Sequence, residues 1–125
     1  MKEVMAIIRI GKINQTKRAL IDAGISSMHV KDVLGRGKGF VDMLRLEGAE
    51  RVWEEKMEEL AVVGRLIPKR KISIIVPNKL VQKVVRTIIE INKTGKSGDG
   101  KIFVLPINES LRVRDGQSGD ETLDG

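Results

Sequence analysis

The residues best placed to do chemistry lie in the stretch TGKSGDGKIFVLP, Thr94 to Pro106, where three glycines and two lysines run up to an apolar strand. It contains Gly-Lys-Ser, half of a phosphate-binding P-loop. A full P-loop needs a glycine five positions earlier and a helix directly after the Ser. Position 90 is Glu90, and Lys101 opens a strand. The cleaving P-loop is therefore excluded. There remains Gly98-Asp99-Gly100-Lys101, whose glycines let successive backbone N–H groups turn toward one point as an anion nest, with a lysine at its rim. An ordinary glycine turn between helix and strand is the competing reading of this segment alone.

Two further clusters share its chemistry. Gly35-Arg36-Gly37-Lys38-Gly39 comes after a predicted strand, and read by itself it is a flexible hinge. Arg112-Val113-Arg114 comes after the last strand, where simple alternation would point both guanidiniums the same way. Read alone it is a pair of solvated charges. Three clusters of glycine and base, all at strand ends, predict a polyphosphate site.

Periodicity supplies the scaffold for these clusters. Lys2 to Ile10 reads as a strand, and Ile13, Lys17, Leu20 and Ala23 form a helical stripe closed by Gly24. Met28 to Leu34 reads as a second strand and Ile72 to Val76 as a third. After Pro77, with Asn78 as the expected N-cap, Leu80, Val81, Val84, Val85, Ile88 and Ile91 mark a helix with a wide apolar face. Lys101 to Leu105 is the fourth strand. The order β-α-β, gap, β-α-β predicts an α+β, ferredoxin-like sandwich with two helices on one face of a four-stranded sheet.

The gap, about Gly35 to Ile67, exceeds the roughly 12–15 residues beyond which loops in compact domains are uncommon and often functional. Within it, AERVWEEKMEEL places Trp53, Met57 and Leu60 on one helical face and glutamates on the others. That stripe packs either on its own domain or into a partner's groove.

Composition narrows the classes. With 125 residues the chain suits one domain, and 41% apolar residues suffice for a core. No apolar run reaches membrane-spanning length, the N-terminus reads as a strand in place of a signal peptide, and a cytoplasmic protein is expected. There are no cysteines and one histidine, His29, so thiolate and multi-histidine metal sites are excluded. A net charge of +6 suits an anionic partner. Aromatics make up only 2%, which argues against a basic RNA-binding ferredoxin-like module that stacks bases. A slow ATPase would have to rely on Asp99 as its water-activating carboxylate.

At these clusters the sequence resembles the PII family of nitrogen-regulatory signalling proteins. TGKSGDGKIFVLP matches the family's B-loop and the strand after it, and LRVRDGQSGDETL resembles its C-loop signature. VLGRGKG resembles the start of its T-loop, and LIPKRKISIIV the T-loop exit, with Pro68 and Lys69 in place. The resemblance implies a single trimeric domain over 1–125, with T-loop about 37–68, B-loop about 94–101 and C-loop and tail about 108–125. It implies ATP or ADP in clefts between subunits, held by Gly35, Gly37, Lys38, Gly98, Asp99, Gly100 and Lys101 of one copy and by Arg112 and Arg114 of its neighbour. Lys38 stands where the family usually has arginine, which keeps the charge and loses the bidentate fork.

Relatives also sense 2-oxoglutarate through Mg²⁺ on the ATP phosphates. The lysine of that site is present as Lys69, but Gly39 occupies the position of the metal-coordinating glutamine. His29 aligns with the family's adenine-side threonine. The T-loop is longer than usual, and Arg51 stands where relatives carry a modifiable tyrosine, so uridylylation there is excluded. A long, altered T-loop with this exit is similar to the second of two paired PII-like proteins encoded among nitrogen-fixation genes of methanogenic archaea. That resemblance implies a homotrimer or a mixed assembly with a paralogue, acting on dinitrogenase. Glutamine synthetase or an ammonium transporter are the alternative targets, and neither nucleic acid nor membrane is an expected partner.

Overall fold

The computed structural model describes residues 1–37 and 66–123. Strand β1, Lys2–Arg9, leads through a short 3₁₀ turn into helix α1, Ile13–Asp22. Strands β2, His29–Gly35, and β3, Ile67–Val76, come before and after residues 36–66. Helix α2, Val81–Asn92, and strand β4, Lys101–Pro106, complete a βαββαβ order. The sheet runs β2-β3-β1-β4 with every neighbouring pair antiparallel, which is the ferredoxin-like α+β arrangement expected from sequence.

Alternation along the central strands decides which face is covered. Val4, Ala6 and Ile8 of β1 and Ile72, Ile74 and Val76 of β3 point to the helices, together with Leu20, Val81, Val84 and Ile88. Burying each such side chain contributes about 1.5–3 kcal/mol. One polar contact crosses the helix pair inside this layer. Buried Asn92 donates through Nδ2 to Thr16 Oγ1 at 3.0 Å and to the Ile88 carbonyl at 2.9 Å, and Thr16 donates to the Lys12 carbonyl.

Four expectations are corrected. The first strand stops at Arg9, because Ile10 already belongs to the 3₁₀ turn. The second strand is shifted by one residue to His29–Gly35. The third begins at Ile67, five residues before the expected start. Its charged first half reads as loop in isolation, yet pairing from Gly35↔Ile67 to Asp32↔Arg70 supplies its ladder, and Asp32 and Arg70 form an ion pair. On α1 the buried positions are Thr16 and Leu20, while Lys17 is only half-buried.

Caps differ too. Asn78 makes no side-chain capping bond; the chain enters α2 through a 3₁₀ turn closed by Leu80 N–H on the Pro77 carbonyl. Gly24 does end α1 as expected. It has φ +88°, its N–H reaches the Ile21 carbonyl, and that of Ile25 reaches Leu20, a Schellman closure.

Candidate functional site

Because every strand is antiparallel to its neighbours, one edge of the sheet collects the end of β2 at Gly35, the start of β3 at Ile67, the end of β1 at Arg9 and the start of β4 at Lys101. Two of the three glycine-and-base clusters therefore meet there. Gly35 is half-buried, and Gly37 is exposed with open space where a side chain would go. Lys38, Gly39, Trp53, Met57 and Leu60 lie outside the described residues.

The loop 94–101 is built around Asp99. Its Oδ2 accepts the N–H groups of Thr94 at 2.9 Å and Gly95 at 3.0 Å; its Oδ1 accepts the Thr94 hydroxyl and the Arg9 guanidinium, each at 2.5 Å. The Thr94 hydroxyl bond, and after it Arg9, holds this carboxyl well below the usual carboxylate range. So weak a base with four donors on it cannot activate water. Asp99 is the loop's internal anion. Gly95, Gly98 and Gly100 have φ of +81°, +95° and +108°, the left-handed region that glycine enters without strain. Gly100 is fixed by contact as well, since a Cβ there would lie 1.9 Å from the Ile7 carbonyl oxygen.

Two cations on the neighbouring strands clamp the same loop. Arg9 and Lys69 are cross-strand partners. Arg9 also donates to the Ser97 carbonyl at 2.9 Å, and Lys69 Nζ to the Gly98 carbonyl at 2.8 Å. Partial burial, and next the charge of Arg9, pushes the Lys69 ammonium below its ordinary value, against the pull of Asp99.

Register places further charge beside this clamp, on the sheet face that the helices leave open. One row across the four strands reads Lys31, Lys71, Ile7, Lys101, and the next reads Val33, Lys69, Arg9. Like charges directly opposite, such as Lys31 and Lys71, are unfavourable until an anion arrives. Toward the other edge the rows turn apolar, with Met5, Phe103, Ile75 and Leu105, beside His29 and a Ser73 hydroxyl that donates to Glu3. The face thus grades from cationic to apolar, which matches a phosphorylated ligand with an aromatic base.

Arg112 and Arg114 are not brought to this edge by the strand that precedes them. β4 ends at Pro106, paired with Lys2 at the opposite edge of the sheet. Among the described residues, no hydrogen bond joins the segment beyond Pro106 to loop 94–101. The expected alternation also fails, because residues 113–115 form a turn. Arg112 folds back onto its own loop and Arg114 is exposed.

Sequence reading missed Arg9, Lys31 and Lys71. Parity alone puts Arg9 on the face opposite Val4, Ala6 and Ile8, but its meeting with a loop ninety residues later depends on register. Among the described residues no group of three or more His, Asp or Glu side chains forms a metal site, and no helix is long and apolar enough to cross a membrane.

Comparison with known proteins agrees with this geometry. A family model described as nitrogen regulatory protein P-II matches residues 1–117. The chain is 44% identical over 123 residues to a "Nitrogen fixation nifHD region GlnB-like protein 2" of Methanobacterium ivanovii, covering 98% of this chain and 99% of that one. It is 40% identical to a protein with the same description from Methanococcus maripaludis, covering 98% and 100%. Among solved structures it is similar to Arabidopsis thaliana PII bound to citrate, with a TM-score of 0.72, 34% identity, and 98% and 88% of the two chains covered.

Proposed function

We propose, from the premise that the chain belongs to the nitrogen regulatory protein P-II family, that it is a non-enzymatic signal protein which binds ATP or ADP at the cationic edge and controls nitrogenase through its T-loop. The observation that carries this reading is the convergence of two glycine turns with Arg9, Lys69, Lys71, Lys31 and Lys101 on one edge of an open sheet face. Gly35, Gly37, Lys38, Gly98, Gly100 and Lys101 would hold the phosphates. Asp99 serves by shaping the loop that does so. With Asp99 committed to the loop, any Mg²⁺ would be held by the ATP phosphates, whose charge it would offset, and not by this carboxylate.

The arginine-bearing loop leaves the sheet at the opposite edge, which favours a site completed by a second copy. The assembly is a trimer, homomeric or mixed with a paralogue. In that assembly the C-loop of one copy, bearing Arg112 and Arg114, approaches the phosphates bound by its neighbour.

Lys69 links ligand to loop. It is the third residue of β3, at the T-loop exit, and its ammonium already holds a B-loop carbonyl. A carboxylate effector such as 2-oxoglutarate, docking near Lys69 and Gly39, competes for that ammonium. A ligand biases a two-state loop only through contacts that differ between the states, and Lys69 supplies one. The T-loop segment that includes Trp53, Met57 and Leu60 then engages or leaves dinitrogenase, a target favoured by the nitrogen-fixation descriptions of the methanogen relatives.

The test is calorimetric titration of the full chain with Mg-ATP, alone and with saturating 2-oxoglutarate. Saturable ATP binding, lost in Lys101→Gln, is expected. Absence of nucleotide binding refutes the reading. ATP binding with no response to 2-oxoglutarate would confine effector sensing to a partner chain.

A further inference from the structure

We propose that the buried pair Asn92 and Thr16 positions the loop 94–101, by pinning the end of α2, from which that loop departs, to the start of α1, which follows Arg9. Its effect on the order of the loop stands on the free chain alone; its effect on ligand rests on the nucleotide function proposed for the cationic edge.

The two helices end by different means. α1 closes on Gly24, whose left-handed φ of +88° turns the chain back. α2 has no such residue. Its last bond runs from Lys93 N–H to the Ile89 carbonyl at 2.9 Å, and Lys93 is already extended, with φ −70° and ψ 119°. Thr94 follows at once, its N–H and hydroxyl both on Asp99. The direction in which the loop leaves is therefore set at Asn92, the last helical residue.

Asn92 is 5% exposed and Thr16 fully buried. The Asn92 amide nitrogen donates to the Ile88 carbonyl at 2.9 Å and to Thr16 Oγ1 at 3.0 Å, and the Thr16 hydroxyl donates to the Lys12 carbonyl at 2.7 Å. The orientation is unique: a carbonyl only accepts, and a hydroxyl whose proton is committed to Lys12 also accepts. Lys12 closes the 3₁₀ turn Ile10–Lys12 that follows Arg9. Arg9 holds the same loop from the sheet edge, through Asp99 and the Ser97 carbonyl. A closed ring results. The loop is fixed at its root from inside the helix layer and at its tip by Arg9, and both ties start from the same short turn.

Stability does not account for the pair. Asn92 Oδ1 is buried without a partner among the described residues. A buried acceptor left unpaired costs more than an average hydrogen bond returns, and two apolar side chains of the same shape avoid that cost. What they cannot supply is a directional bond that selects one arrangement of the helix ends.

The experiment uses the full chain with Thr16→Val, which keeps shape and removes the acceptor, Thr16→Ser, which keeps the acceptor and loses a methyl, and the double variant Thr16→Val/Asn92→Leu. Urea unfolding reads global stability. Amide hydrogen exchange without nucleotide reads the loop at Thr94 and Gly95, with the amides of β1 as the global reference. The double variant should unfold at or above the wild-type midpoint, with β1 no faster than wild type. Its Thr94 and Gly95 should nevertheless exchange about fivefold faster, as the loss of one net hydrogen bond allows. Thr16→Val should loosen the loop in the same way. Thr16→Ser should lower the urea midpoint and leave loop exchange at its wild-type ratio to β1. A pair that is merely structural gives a different pattern, with loop exchange following global stability in every variant. Mg-ATP affinity should fall about threefold in Thr16→Val and in the double variant, and stay at the wild-type value in Thr16→Ser.

Wild-type exchange at Thr94 and Gly95 in Thr16→Val overturns the proposal, and so does a Thr16→Ser loop as loose as that of Thr16→Val. This comparison decides by itself if the double variant does not fold. A loosened loop with unchanged Mg-ATP affinity overturns the link to ligand. If wild type binds no Mg-ATP, the nucleotide reading falls, and the exchange data still decide whether the pair positions the loop.

Discussion

Replacing each loop glycine by alanine separates two physical demands on the segment 94–101, the left-handed backbone and the close approach to β1. Gly95 has φ +81° with open space around its Cα, so Gly95→Ala imposes backbone strain alone, about 1–2 kcal/mol. Gly98 has φ +95°, and its nearest neighbours would be Arg9 Nη2 at 3.2 Å and Lys69 Nζ at 3.7 Å. Both are ends of flexible side chains that can shift, so Gly98→Ala should cost only slightly more. Gly100 has φ +108°, and its added Cβ would meet the Ile7 carbonyl oxygen at 1.9 Å and carbon at 3.0 Å. That neighbour is backbone, in the β1–β4 ladder, and cannot swing away. Overpacking of this kind adds roughly 1–3 kcal/mol, for a total of about 2–5 kcal/mol.

Urea unfolding at one fixed protein concentration reads the series, the concentration being fixed because assembly would shift the midpoint by mass action. With a denaturant slope of about 2 kcal/mol/M, Gly95→Ala should move the midpoint down by about 0.5–1 M and Gly100→Ala by about 1–2.5 M. Mg-ATP affinity should fall most for Gly100→Ala, because Lys101 moves with the strand start. A Gly100→Ala midpoint equal to or above that of Gly95→Ala refutes the claim that β4 begins in contact with the Ile7 carbonyl.

Asp99→Asn should speed hydrogen exchange at Thr94 and Gly95, whose N–H groups lose their carboxylate acceptor. Since the Asp99 carboxyl is held below its ordinary range, its contribution to stability is present above the unfolded value of about 4 and fades as pH falls toward the folded one; the thermal-midpoint gap between wild type and Asp99→Asn should be constant at neutral pH and narrow below about pH 4. Lys69 has the opposite sense: its lowered value means the protonated form costs stability that is recovered as pH rises through that value, and an anion bound beside it raises the value again. Binding of 2-oxoglutarate with Mg-ATP at alkaline pH should therefore take up protons, seen as a buffer-dependent calorimetric heat, and Lys69→Gln should abolish the uptake. Asn92→Ala should cost about 1–3 kcal/mol in urea unfolding, because it empties a buried site and removes a bond to Thr16 Oγ1.

What could be read from sequence was what is local. The loop 94–101 declared itself because its glycines and its anion lie within a few residues, and Asp99 binds Thr94 and Gly95. The helices and the apolar strand cores declared themselves through period. The first half of β3 did not, since Pro68, Lys69, Arg70 and Lys71 carry no strand pattern and are ordered by pairing with neighbouring strands. Arg9 was invisible for a related reason: its meaning lies in bonds to Ser97 and Asp99, and nothing near residue 9 announces them. The inward turn of Arg112 was hidden by a plausible rule, strand alternation, applied past the point where the chain stops being extended.

The graded sheet face ties assembly to ligand in the proposed trimer. In the free chain Phe103 is 47% and Leu105 37% exposed, and Val113 on the C-terminal loop is wholly so. Covering such side chains is favourable at about 25 cal/mol per Å², so the apolar end of the face drives association by itself. The cationic end opposes it. Lys31, Lys71, Lys101, Lys69 and Arg9 share two adjacent rows, with Asp99 the only described carboxylate paired to any of them. Bringing the arginine-bearing loop of a neighbour to that edge adds positive charge to positive charge, and a bound polyphosphate reverses the sign of the interaction. Nucleotide should therefore tighten the assembly as well as fill its cleft. The dissociation midpoint on dilution should fall when Mg-ATP is present, and should fall less in Lys101→Gln. A midpoint indifferent to nucleotide would mean that the phosphates and the neighbour's arginine loop do not meet.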